Sequence, residues 1–284
     1  MRWTPGGKSR DIEDRRGLGG RFPGGGRGMG VGGIVVLLVL SVIFRQDFFS
    51  LLGSGAVGGQ PAVESGPVAS TPEEERMVQF VSFVLDSAQN YWEREFAEMG
   101  GQYQRAKLVL YREGVESGCG YAPSATGPFY CPADQRVYID LAFFDELDKR
   151  FGAPGDFAQA YVLAHEIGHH VQTLLGIEQK VRSLQQSRPG EANQVQVRME
   201  LQADCLAGLW GNETHAMGLL QEGDVEEGLG AAAAVGDDRI QRSTQGYVNP
   251  EGFTHGSSEQ RMQWFTRGFR SGRIDDCDTF GTRP

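Results

Sequence analysis

The sequence predicts an α+β fold: an opening helix, a small sheet and a helical C-terminal part, preceded by one transmembrane helix. Three observations predict it. An uncharged run occupies residues 28–44, and strand-like stretches follow at Lys107–Tyr111 and Arg136–Asp140. Helical patterns stand before and after those strands instead of alternating with them, which argues against a wound parallel sheet. The 284 residues, 39% hydrophobic and 23% charged, suffice for one good-sized domain or two small ones. Four cysteines are too few for a disulfide-built miniprotein, and 41 glycines without a triplet repeat exclude collagen.

Net charge is −10, unevenly spread: the first 30 residues carry seven Lys/Arg against three acids, the remainder 20 against 34. An acidic body repels phosphates and so excludes a nucleic-acid partner. The chain divides into a basic tail (1–28), a membrane anchor (29–49), a linker of small residues (50–71) and a folded domain (72–284). The uncharged run of 17 residues is at the short end for a spanning helix. Arg45 and Asp47 interrupt it before Phe48, Phe49, Leu51 and Leu52 resume. A cleaved signal peptide shares the basic front and apolar middle, but the long front and the missing A-x-A site favour an anchor. After Arg45 the next basic residue is Arg76. This bias places the N-terminus in the cytoplasm and the domain outside it, single-pass.

An even cysteine count on the oxidising side suggests two disulfides. The simplest pairing is Cys119 with Cys131 and Cys205 with Cys277, one of three possible, and four buried thiols are the alternative. Two G-x-G-x-x-G patterns, beginning at Gly28 and Gly53, follow no strand and open no helix, so neither supports nucleotide binding.

Thr71-Pro72-Glu73-Glu74 reads as a capping box that starts a helix with Met77, Phe80, Val81, Val84, Ala88, Tyr91, Trp92 and Phe96 along its apolar stripe. Gly100-Gly101 ends it. The strands at 107–111 and 136–140 enclose the Cys119–Cys131 loop, whose segment 127–131 reads as an irregular edge strand. A short helix over 141–150 follows, then a Gly/Pro loop at 152–155.

Asp156 is the expected N-cap of the next helix, with Gln159 reaching back and Gly176 as the stop. This helix contains His165-Glu166-Ile167-Gly168-His169. Residues four apart share a helix face, so both imidazoles can reach one Zn²⁺ ion. Glu166, beside the first ligand, is placed to act as a general base on a water activated by the metal. A catalytic zinc needs a third protein ligand. The extended H-E-x-x-H-x-x-G-x-x-H pattern is absent, since Gln172 and Leu175 stand at its last two positions. His170 points around the helix from His169 and is not expected to ligate.

Glu200, in a helical stretch over 193–210, would complete the His₂Glu set; a solvated acidic face is the alternative, and the flanking Val197, Leu201, Leu206 and Leu209 favour a partly buried helix. Asp204, one turn on, is placed to accept the second ring N–H of a ligand histidine. His215 reads as a surface histidine in a loop. His255 lies in a turn before the last helix, which Ser257 or Ser258 caps. There it can donate to an oxyanion, or simply serve helix entry. Arg261 can pair with an active-site carboxylate or stay exposed.

These residues carry a family resemblance. GPFYCPADQRVYIDLAFFDEL, RFGAPGDFAQAYVLAHEIGHHVQ, RMELQADCLAGLW, AAAAVGDDRIQ and FTHGSSEQR together resemble the bacterial neutral zinc metallopeptidases, membrane-anchored proteins with one N-terminal span. The likeness covers nearly the whole chain. HExxH followed by ExxxD is also similar to the wider zincins whose third ligand is glutamate. The resemblance implies a zincin-like domain and a Zn²⁺-dependent endopeptidase at the bacterial cytoplasmic membrane. It also implies His165, His169 and Glu200 as ligands, Glu166 as base and a peptide or protein as substrate. The alternatives are a non-catalytic zinc-bearing envelope scaffold and a metal-dependent amidase acting on a non-protein substrate. Glu166, which a mere metal binder would not need, favours the peptidase.

Overall fold

Alternating apolar residues build the sheet, and long apolar stripes build the helices around it. The computed structural model describes residues 1–17, 68 and 70–281. In chain order these contain β1 (Ile12–Asp14), α1 (Pro72–Glu98), β2 (Lys107–Tyr111), β3 (Gly114–Ser117), β4 (Gly120–Pro123), β5 (Phe129–Cys131) and β6 (Arg136–Asp140). The helical part follows: α2 (Ala142–Lys149), α3 (Asp156–Leu174), α4 (Ile177–Ser187), α5 (Ala192–Ala216), α6 (Asp224–Ala234), α7 (Asp237–Gln245) and α8 (Ser258–Ser271). The class is α+β, with a small sheet and a mostly helical remainder.

The sheet order is β1-β2-β6-β5. β1, β2 and β6 run parallel, with Leu108 beside Val137 and Leu110 beside Ile139, while β5 is antiparallel to β6. Side chains alternate between faces along a strand. Leu108, Leu110, Val137 and Ile139 therefore enter the main core under the helices. Val109, Tyr111 and Tyr138 enter a smaller cluster that Val115 and Ala122 of the β3–β4 hairpin complete. With both faces covered, β2 reads as a continuous apolar run, as central parallel strands do.

Thr71 caps α1 by accepting from the Glu74 N–H at 3.2 Å. The Glu74 carboxylate does not reach back; it binds Arg112 at 2.6 Å and Arg16 at 3.0 Å. Asp156 is likewise not the cap of α3. Gly155 holds that position, and Asp156 pairs with the α-ammonium of Met1. The Phe157 N–H, which has no intrahelical partner in the first turn, is satisfied from α6 by Glu227 at 3.1 Å. α5 runs on through Ala216, so His215 lies in its last turn, not in a loop; the ring packs near Phe269.

The expected anchor at 29–49, and the linker as far as residue 67, lie outside the described residues. Among the described residues no helix is long and apolar enough to cross a membrane. Charge counting assigns residues 1–28 to a cytoplasmic tail, yet residues 1–17 are built into the domain. Ile12 is 8% exposed in the core, and Trp3 packs on Phe80 with ring centroids 5.3 Å apart. The basic residues are matched locally. Arg16, only 4% exposed, binds Asp14 at 2.8 Å, and Asp11 binds Arg105 at 2.6 Å and Lys107 at 2.8 Å. Interleaved acids thus turn an apparently basic tail into an ion-paired edge strand.

Burial opposes ionisation of Asp11, but Lys107 and Arg105 outweigh it and hold its carboxyl below the ordinary value near 3.8. The hydrogen bond from Arg16 dominates at Asp14 and depresses it too. Depressed carboxylates stabilise the docked segment fully above the undocked value and lose that contribution as pH falls through the docked one. The protection factor of the β1 amides, taken against the intrinsic exchange rate at each pH, is therefore expected to stay high at neutral pH and to fall below about pH 4, ahead of that in β6.

Both disulfides are formed, Cys119–Cys131 and Cys205–Cys277, spanning 12 and 72 residues. The longer loop restricts the unfolded chain more. Replacing Cys205 and Cys277 by Ser should cost about 2–5 kcal/mol in denaturant titration, more than replacing the other pair.

Candidate metal centre

The geometry of the site begins with a missing side chain. Gly168 lies where α3 meets α5, and a Cβ there would stand 3.0 Å from the Ala203 carbonyl oxygen and 3.2 Å from its Cα. The helices therefore touch through backbone. His165 and His169 flank Gly168 on one helix, and Glu200 and Asp204 flank Ala203 on the other, so four polar side chains meet across the contact.

Three of them converge. The Glu200 Oε2 atom lies 3.3 Å from His165 Nε2 and 3.4 Å from His169 Nε2. A ligand atom of each lies within 4.8 Å of the others. Neighbouring donors of a tetrahedral zinc at its usual 2.0–2.2 Å bond lengths stand ~3.4 Å apart, so the His₂Glu set fits that ion. The rings are nearly perpendicular, at 88°. Their other nitrogens are spoken for: His165 Nδ1 faces Asp204 Oδ1 at 2.8 Å, and His169 Nδ1 faces Gln172 Oε1 at 2.8 Å. The Gln172 amide nitrogen donates to the Met199 carbonyl at 2.8 Å, which fixes Oε1 as the atom towards His169. Both Nε2 atoms face Glu200, and with a metal bound the same contacts would hold the imidazoles as Nδ1–H tautomers.

Behind His165 sits a buried ionic network. Asp204, with no exposed surface, accepts from Arg261 Nε and Nη2, each at 2.8 Å, and from the Tyr161 hydroxyl. Arg261 is 3% exposed and also donates to Tyr161 Oη at 3.2 Å. Burial works against the Asp204 charge, but Arg261 and His165 prevail and set its carboxyl at about 2. Burial also opposes protonation of His165; the Asp204 charge and hydrogen bond, with Glu200, override it and raise the imidazole to about 9. Glu200 is held well below the carboxylate range despite burial, by the charge of His169 and hydrogen bonds from both histidines.

Glu166 is 8% exposed and paired with no described side chain, so its carboxylate remains available beside His165. His255 is not among the three converging side chains, though the charge of Glu200 reaches it. Its backbone N–H donates to Asp237 Oδ2 at 2.6 Å, and its ring Nδ1 lies 3.3 Å from Asp237 Oδ1. Burial pulls the His255 pKa down, but Asp237 and the charge of Glu200 raise it. The side chain is half exposed. Ser257 is the cap of α8, in a full capping box with Gln260. His170 turns into the core, between Tyr130 Oη at 3.1 Å and the Gln104 carbonyl at 2.6 Å.

Tyr161, Gln172 and Gln202 belong to the site and escaped the sequence reading. Tyr161 and Gln172 carried a usable signal, at four residues before His165 and three after His169 on the same helix. Gln202 carried none. It accepts from Gln172 at 3.0 Å and donates to the Cys277 carbonyl at 3.0 Å, partners that only the tertiary fold supplies. A second cluster, Asp156, Asp224 and Glu227, lies at the helix entrances, and its first two members pair with the Met1 ammonium.

Because Asp204 and Gln172 orient the ligand rings, Asp204→Asn and Gln172→Leu should each weaken zinc binding about 10–100-fold. Competition against a chromophoric chelator reads this directly. The Asp204 variant should also lose stability, since Arg261 is left buried without its full partner.

A family model described as putative neutral zinc metallopeptidase matches residues 1–280. The chain is 48% identical over 287 residues to the uncharacterized protein YpfJ of Escherichia coli K12, covering 99% of both chains. It is also 46% identical over 189 residues to the uncharacterized protein Rv2575 of Mycobacterium tuberculosis, covering 63% of each. No solved structure matches. With the family model matching almost from end to end, the chain belongs to the putative neutral zinc metallopeptidase family.

Proposed function

We propose that the protein is a zinc-dependent endopeptidase held at a membrane by its apolar run. The observation that carries this reading is the unpaired Glu166 carboxylate beside two imidazoles whose Nε2 atoms meet Glu200 at 3.3 and 3.4 Å. His165, His169 and Glu200 would hold zinc, which when bound supplies Lewis acidity towards a carbonyl and an acidified water.

The chain's own groups do the rest. Glu166 takes a proton from the attacking water and returns it to the leaving amine. His255, whose protonated form Asp237 favours, donates to the oxygen on which negative charge develops. Asp204, Arg261 and Tyr161 prevent His165 from rotating. The edge strand β5 receives an extended peptide by strand addition. It pairs with β6 on one side and adjoins α3 through Tyr130 and His170.

The test is cleavage of a diverse peptide library by the purified, zinc-loaded chain beside Glu166→Gln. The variant should still bind one zinc while cleavage falls about 10²–10⁴-fold, the contribution of a general base. Absence of cuts from the zinc-loaded native chain would overturn the peptidase and favour a non-catalytic scaffold or an amidase with another substrate.

A further inference from the structure

Residues 1–17 make the kind of contact with the domain that only chain segments sharing one aqueous compartment can make. β1 extends the sheet in register, Ile12 to Leu108, Glu13 to Val109 and Asp14 to Leu110. Backbone bonds close both ends, Leu108 N–H to the Asp11 carbonyl at 2.8 Å and Arg15 N–H to the Leu110 carbonyl at 2.7 Å. Two buried charges of the segment are paired with charged groups of the domain. Asp11, 3% exposed, accepts from Arg105, Lys107 and Gln89, and Arg16 binds Glu74 and Glu75 on α1. Removing the segment would leave the β2 edge unpaired, uncover Phe80 and strand Gln89, which has no exposed surface, without its Asp11 partner.

We infer that the N-terminal segment and the metal-binding domain lie on the same side of the membrane, with the edge of β2 and the face of α1 as the segment's docking surface. A bilayer core about 30 Å thick cannot separate strands hydrogen-bonded to one another. The two disulfides assign that shared side to the oxidising compartment. This departs from the single-pass arrangement that the charge bias predicts. It does not depend on the proposed peptidase activity.

The experiment places one new cysteine in each part of the full chain, at Arg10→Cys and, separately, at Lys149→Cys. Both positions are exposed and away from the metal centre, and the native cysteines are silent because all four are in disulfides. A membrane-impermeant maleimide is applied to bacterial spheroplasts before and after permeabilisation. The expected result is that both cysteines label without permeabilisation. Labelling of Lys149→Cys in intact spheroplasts with Arg10→Cys labelled only after permeabilisation, or the reverse, would overturn the shared compartment. Protection of both until permeabilisation would keep the compartment shared and overturn its assignment to the oxidising side. Amide exchange on the purified full chain checks the docking itself. Residues 12–14 should exchange at least about tenfold more slowly than an unstructured chain and faster in Asp11→Ala; unprotected exchange in the native protein would overturn the docking surface.

Discussion

Helices α3, α5 and α8 touch through backbone atoms, and the metal centre's geometry follows from that closeness. Besides Gly168 against Ala203, a Cβ on Gly208 of α5 would stand 2.2 Å from the Phe265 carbonyl oxygen. A Cβ on Gly268 of α8 would stand 2.0 Å from that of Cys205. Side chains at these points would push the axes apart by an ångström or more, and His165, Glu200, Asp204 and Arg261 all reach across those gaps. The Cys205–Cys277 bond then ties the segment after α8 back to the same stretch of α5. Three glycines and one disulfide thus fix α5 relative to its two neighbours, and the polar side chains inherit their spacing.

That spacing allows a buried charge network that would otherwise be costly. Desolvating a carboxylate and a guanidinium opposes folding unless each finds several well-placed partners. Asp204 finds Arg261 through two nitrogens, His165 and Tyr161, and so remains ionised out of reach of solvent. The network anchors one candidate ligand ring, that of His165, from behind. The other ring is held by neutral amides, Gln172 and then Gln202. The two histidines therefore differ electrostatically: His165 is backed by a carboxylate and His169 by a carbonyl oxygen, and a carboxylate makes the more basic ligand.

The parts legible in the sequence were those written in local spacing. HExxH at four-residue intervals, the ExxxD pair, the caps at Thr71 and Ser257 and the β-branched strands all report on residues within a turn or two of themselves. The hairpin β3–β4 was missed because its turn lies inside a Gly-rich loop with little apolar alternation. β1 was missed because three residues of strand, IED, look like charged tail until Arg105 and Lys107 are brought alongside from nearly a hundred positions away. Asp156 illustrates the same limit. A strong N-cap type by itself, it was taken by a cation from the far N-terminus, and Gly155 and Glu227 served the helix instead. Local rules fail where a distant partner of opposite charge outbids the neighbouring backbone.

The placement of β1 also sets an order of events during synthesis. Residues 1–17 leave the ribosome well before their partners: the β2 edge they join is made about ninety residues later, and Asp224, which pairs with Met1, later still. At bacterial elongation rates of about 5–20 residues per second, the segment waits roughly 10–45 s for its last partner. Until β2 is made it is an unpaired, charge-rich strand. The earliest part of the chain is therefore among the last to be placed, and its docking reports that the rest of the domain has folded.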